Sequence, residues 1–268
     1  MSPQAREERL LDLLRTRGAD DYESMARALG VSIMTVRRVV DRLAAEGKVI
    51  KTLGGAQAAG LPPDFYESDL AARLKENRAE KQAIAHAAIA LLKAQDTVFM
   101  DGSTTCLELA AAIRHSRLAL HVVTNSLLIG REVGRDRRQE VTVIGGQYDP
   151  ASLCCHGRFC EEQLRRMHFD KAVFSTKGFV PGEGTFESAV ALFHIKRLAA
   201  TRAQQVLLLV DHSKFGLRAL CQALDMKDLD VVVTDDGVSR KFIRELERAG
   251  KRVEIAPLKP RMPPPKRG

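Results

Sequence analysis

Several short stretches carry residue types that can hold a polar, anionic molecule. Asp101-Gly102-Ser103-Thr104-Thr105 sits where a helix can open, and such a turn offers backbone N–H groups and hydroxyls to an anion. Thr124-Asn125-Ser126, Gly145-Gly146 and Asp211-His212-Ser213-Lys214-Phe215-Gly216 have the same small and polar character. Lys214 can place a point charge on a phosphate. Asp101 can accept from sugar hydroxyls, and Asn125 can donate and accept. Together these groups suit a phosphorylated sugar or polyol. A different chemistry is concentrated near the N-terminus, where Arg37, Arg38 and Arg42 share a segment with Met34 and Thr35.

Each polar stretch follows an apolar run. The runs are 97–100, 120–123, 141–144, 172–174, 206–210 and 231–233, with Lys177-Gly178 shortly after the fourth. They show no polar alternation, which predicts strands buried on both faces. Helical stretches over 107–113, 127–133 and 191–203 separate several of them. Alternating strands and helices predict a Rossmann-like, mostly parallel α/β domain over residues 77–256. In such a sheet ligands gather beyond the carboxyl ends of the strands. That places Asp101, Ser103, Thr104, Thr105, Thr124, Asn125, Ser126, Gly145, Gly146, Asp211 and Lys214 at one edge as candidate effector-binding residues.

Residues 1–57 read as a winged helix-turn-helix. Leu10, Leu11 and Leu14 line a first helix, with Leu13 at its edge. Asp20 or Asp21 can cap a second helix that buries Met25, Ala26 and Leu29. Gly30 suits a left-handed turn, and Ser32 can cap a third helix burying Val36, Val39 or Val40, and Leu43. Gly47 ends it, and Lys48 to Thr52, turned at Gly54-Gly55, makes the wing. Such a module sets its third helix in the major groove. Arg37 or Arg38 can then read a guanine, Thr35 can touch a thymine methyl or a phosphate, and Lys48 and Lys51 can hold phosphates. Ser32, Met34, Thr35, Arg37, Arg38, Arg42, Lys48 and Lys51 form the expected DNA-binding set. The competing reading is a protein-binding winged helix with a solvated arginine face.

Ser32-Ile33-Met34-Thr35-Val36-Arg37-Arg38, Glu46-Gly47 and Leu53-Gly54-Gly55-Ala56 resemble the DeoR family of bacterial transcriptional regulators. The 101–105 turn, Thr124-Asn125-Ser126, Gly145-Gly146, Lys196-Arg197 and 211–216 resemble its sensor domain, which is similar in fold to ribose-5-phosphate isomerase. The resemblance runs to about Ile255. It implies a repressor of carbohydrate-catabolism genes that binds operator DNA as a homo-oligomer, a dimer or tetramer, and is released by a sugar phosphate. Three positions depart from the family pattern. Val39 stands where an Asp is usual, Ser103 where a Gly is usual, and 191–195 offers no acid ahead of Lys196.

The composition fits this picture. Of 268 residues 45% are hydrophobic and 28% charged, as in a globular chain. No apolar run approaches the roughly 18 residues of a membrane span, and the charged start MSPQAREERLLDLL lacks a signal-peptide core, so a cytoplasmic protein is expected. The net charge of +8 favours a polyanionic partner. Five of those eight charges lie in residues 251–268, whose Pro-rich end, residues 257–268, reads as a disordered tail. Residues 58–76, with Pro62-Pro63, read as a linker. Five cysteines, an odd number, point to reduced thiols. Cys154-Cys155-His156 and Cys160 lack paired Cys-x-x-Cys units, so no metal is expected there, and no cofactor is assigned. No catalytic residue is assigned. Asp211-His212-Ser213 has the types of a hydrolytic triad, but adjacent residues cannot converge on one reacting atom. Two alternatives stay open: a sugar-phosphate isomerase-like enzyme with a DNA-binding head, Asp101 or Asp211 serving as base, and a ligand-independent DNA-binding protein whose second domain only oligomerises.

Overall fold

A computed structural model describes residues 3–17, 19–52, 55–58 and 70–258. The Gly54 part of the wing turn, the Pro62-Pro63 connector and the tail from Lys259 lie outside these residues.

The N-terminal unit contains α1 (Pro3–Arg17), β1 (Ala19–Asp21), α2 (Tyr22–Leu29), α3 (Ile33–Ala45), β2 (Val49–Thr52) and β3 (Gly55–Ala58). Local chemistry sets its helix ends. Asp21 accepts from the Ser24 N–H at 2.7 Å and caps α2. Gly30 takes the left-handed conformation that ends α2 (φ +65°). Ser32 accepts from the Thr35 N–H at 3.2 Å and starts α3. Both Val39 and Val40 are buried, with Leu10, Leu14, Met25, Val36 and Leu43. The Val39 that replaces the family's Asp is therefore core. β3 pairs with β2 to form the wing and also with β1, a short strand that the sequence reading had not placed.

The larger unit begins with α4 (Leu70–Lys75) and α5 (Arg78–Ile89). Then come β4 (Thr97–Met100), α6 (Thr104–His115), β5 (His121–Thr124), α7 (Leu127–Val133) and β6 (Glu140–Val143). A hairpin, β7 (Gln147–Asp149) and β8 (Cys154–His156), precedes α8 (Arg158–Arg165) and β9 (Phe169–Phe174). After β10 (Gly178–Val180) and β11 (Gly184–Glu187) come α9 (Val190–Ala200), β12 (Ala203–Leu209), β13 (Cys221–Asp225), β14 (Val231–Asp235), α10 (Arg240–Arg248) and β15 (Arg252–Ala256).

Seven strands form one parallel sheet in the order β15-β14-β12-β9-β4-β5-β6. Its two faces explain the uninterrupted apolar runs. Phe99, Phe174, Leu208 and Val232 join one core with Leu164, Ile195 and Leu246 from α8, α9 and α10. Their chain neighbours Val98, Val173, Leu207 and Val231 join the other, with Ile84, Leu109 and Ile129 from α5, α6 and α7. The chain runs from β4 out to β6, then crosses back to β9 on the other side of β4. That reversal is a topological switch point, where a crevice opens beyond the strand ends.

Candidate functional site

The crevice is a cavity at the carboxyl ends of β4, β5, β9 and β12. Asp101, Ser103, Thr104, Thr105, Asn125, Asp211 and Lys214 all line it, brought from three separate loops. Ser103 caps α6, its hydroxyl accepting from the Cys106 N–H at 3.2 Å. The first N–H groups of a helix have no intrahelical acceptor, so those of Thr104 and Thr105 are available to an anion. The Ser103 backbone (φ −75°) has no need of glycine. That need falls on Gly102, where a Cβ would come within 2.1 Å of Cys154 Sγ.

Four residues of the expected set stand elsewhere. Thr124 donates its hydroxyl to the Met100 carbonyl at 2.7 Å, tying β5 to β4. Ser126 caps α7. Gly145 accepts from Gln163 Nε2 at 2.9 Å, and a Cβ on Gly146 would meet the His156 carbonyl at 2.5 Å. They shape loops around the cavity and do not line it.

Asn125 is buried and donates through Nδ2 to the Cys155 carbonyl at 2.9 Å. Its Oδ1 finds no hydrogen-bond partner among the described residues. A buried acceptor left without a donor costs about 1–3 kcal/mol, which a ligand hydroxyl would relieve.

At the cavity floor lies a buried cluster that sequence reading had not assembled. Lys196, on α9, is 2.9 Å from Asp101, pairs with Glu187 at the end of β11, and donates to the Ser175 carbonyl at 2.5 Å. Burial disfavours its charge, but Asp101 and Glu187 outweigh that and hold its pKa above the ordinary lysine value. Glu187 supplies the acid missing from 191–195. Only the tertiary fold brings it there, across the turn between β11 and α9.

A second buried lysine, Lys81 on α5, also lines the cavity. Burial lowers its pKa, Asp211 opposes that shift, and Lys214 adds to it. Lys81 was missed because a lysine within the charged run 73–81 reads as solvated.

On the N-terminal unit Met34 and Arg38 are exposed, and the Arg37 guanidinium lies 5.1 Å from the centre of the Tyr22 ring. Arg42 pairs with Glu7 of α1, Lys48 with Glu46 at 2.6 Å, and Lys51 with Asp41 at 2.5 Å. Ser32 and Thr35 hydroxyls are 2.9 Å apart at the helix start. Seven of the eight expected DNA-binding residues thus fall on α3, its cap or the wing, and Lys48 lies in the turn that leads into the wing.

Residues 76–236 match the DeoR C terminal sensor domain, and residues 6–60 match the DeoR-like helix-turn-helix domain. The chain belongs to the DeoR family. This DeoR-family chain is 28% identical over 256 residues to the HTH-type transcriptional regulator GolR of Listeria innocua, covering 96% of this chain and all of that one. It is 28% identical to the lactose phosphotransferase system repressor of Lactococcus lactis, over 92% of this chain and 97% of that one. With the transcriptional repressor GlcR of Bacillus subtilis it shares 29% identity, over 91% and 94% of the two chains. Among solved structures, ribose 5-phosphate isomerase A from Neisseria gonorrhoeae superposes with a TM-score of 0.40 at 11% identity, covering 53% of this chain and 55% of that one. The protein is a DNA-binding transcriptional regulator with a domain for a small-molecule effector. Among the described residues no helix is long and apolar enough to cross a membrane.

Proposed function

We propose that this DeoR-family regulator represses carbohydrate-use genes and leaves its operator when a phosphorylated sugar or polyol enters the cavity. The observation that carries the reading is Asn125 Oδ1, without a partner among the described residues, in the same cavity as the α6 N-terminus, Lys81 and Lys214. One pole suits hydroxyls and the other an anion. The named repressors among its relatives, one of a lactose phosphotransferase system, support the same class of control.

In this reading Arg38 and Arg37 face base edges, Thr35, Lys48 and Lys51 face the backbone, and two heads of a homo-oligomer in the cytoplasm engage paired half-sites. Effector binding shifts the protein only so far as the two states bind it unequally.

The isomerase reading is less well supported. A general base must reach a substrate proton. Asp101 and Glu187 are both paired with Lys196, and Asp211 accepts from Asn77 Nδ2 at 3.0 Å and from the Ser213 hydroxyl. Selection of genomic fragments by the purified protein, followed by elution with pentose and hexose phosphates, tests the proposal. One paired half-site released by one metabolite supports it. Specific enrichment that no metabolite reverses removes the sensor reading, and turnover of a sugar phosphate without DNA enrichment favours the enzyme.

A further inference from the structure

α4, which falls within the stretch 58–76 expected as a linker, is the first element described after the DNA-binding head, and none of its residues is fully buried. With Leu70 and Leu74 only half-buried, α4 depends on polar contacts for much of its position and belongs to the less stable part of the fold. Here those contacts converge on the cavity. Lys81 Nζ donates to the carbonyls of Arg73 and Glu76, each at 2.6 Å, gathering the C-terminal end of α4. Glu76 Oε2 lies 3.6 Å from Lys214 Nζ. Between them Asn77 adopts a left-handed conformation (φ +47°) and donates to Asp211 Oδ1 at 3.0 Å and Ser213 Oγ at 2.9 Å. Arg73, Glu76, Lys81, Asp211 and Lys214 all line the cavity.

We propose that Glu76 is a resident stand-in for the effector's anionic group: it occupies Lys214 in the empty sensor, and an anion taking Lys214 displaces it and loosens α4. The inference rests on the sugar-phosphate reading of the cavity and adds to it the moving part. Lys214 is largely covered, whereas the Glu76 side chain is half exposed, so Glu76 can leave into water while Lys214 stays. An incoming phosphate carries more charge than a carboxylate and reaches Lys81 as well as Lys214. With Glu76 displaced, the end of α4 keeps the bonds from Lys81 and, through Asn77, those to Asp211 and Ser213, and loses the ion pair that completes its hold on the 211–214 turn. α4 is then loosened by the same event that fills the cavity. Glu76 acts as a positioning residue here.

The test uses the full-length protein, with inorganic phosphate as the probe. Binding is read by calorimetry, and amide hydrogen exchange is followed over residues 70–81, in wild type, Glu76→Gln and Lys214→Gln. Glu76→Gln is expected to exchange faster over 70–77 before any phosphate is added. It should also bind phosphate about two- to fivefold more tightly, the range of a solvent-facing ion pair. Saturating phosphate should bring wild type to the same fast exchange. Lys214→Gln should exchange fast as well but bind phosphate more weakly. Equal exchange in Glu76→Gln and wild type without ligand overturns the latch. So does Lys214-dependent phosphate binding that leaves 70–81 unchanged, and that result spares the effector site. Phosphate binding that ignores Lys214 counts against the site itself, and the ligand-free comparison still decides on the latch.

Discussion

Lys196 and Asp101 meet at 2.9 Å in the floor of the sensor cavity, both buried, with Glu187 closing the other side of the ammonium. Removing one partner of a buried ion pair leaves the other charge uncompensated, at roughly 3–5 kcal/mol. Lys196→Met should therefore lower unfolding stability by about that amount in urea titrations. The two abandoned carboxylates would repel and take up protons. The deficit should be larger at neutral than at mildly acidic pH, whereas a simple packing defect would be independent of pH.

A Cβ on Gly102 would come within 2.1 Å of the Cys154 sulfur, so one of the two must shift. Gly102→Ala is expected to destabilise by about 1–3 kcal/mol through overpacking and to weaken effector binding by shifting the α6 N-terminus. Gly102→Ala with Cys154→Ala should recover most of that loss, because the obstructing sulfur is gone. A double-mutant cycle on urea midpoints measures the coupling, and additive effects would reject the contact.

The thiols give a pH dependence. Burial pushes Cys154 up to about 11, with Ser126 and Ser152 opposing the shift. Burial, with the nearby Cys155 and Glu161, pushes Cys160 up to about 12. A folded-state pKa above the unfolded value means stability that is complete below about pH 9 and falls as pH rises through 11 and 12. Urea midpoints of wild type should decline over that range more steeply than those of Cys154→Ala/Cys160→Ala. At pH 8 both thiols should alkylate far more slowly in the native protein than in urea.

On the DNA side, Arg38→Ala should cost about 1–3 kcal/mol at one base pair and relax the preference there. Lys51→Ala should weaken all sequences alike and by less, because Lys51 is already paired with Asp41. Competition binding against single-base operator variants separates the two patterns.

Much of the sensor was legible because burial on both faces of a parallel sheet leaves an unbroken apolar run, as in Val231-Val232-Val233. Caps were legible for a similar local reason: Ser32 and Gly30 act within one helical turn. β7, β8, β10 and β11 were not, because Gln147–Asp149, Cys154–His156, Gly178–Val180 and Gly184–Glu187 carry no unbroken apolar run of the kind that marks β4 or β9. Glu187, Lys81 and Ser175 acquire their roles only when α5, β9 and β11 converge, and no neighbour in sequence announces that. Thr124, Ser126, Gly145 and Gly146 show the converse, since polarity at a strand end also serves to cap and to join.

The strand order also fixes a schedule for synthesis. Every described element of the DNA-binding head lies before residue 59, and its contacts are local enough for rapid folding. β4 leaves the ribosome soon afterwards, but one of its two neighbours, β9, is complete only at Phe174, and β9 in turn needs β12. This inner strand of the sensor must therefore wait, its edge toward β9 unpaired, while more than seventy further residues are translated. A nascent chain thus holds a finished DNA reader well before it holds anything that can be told to let go.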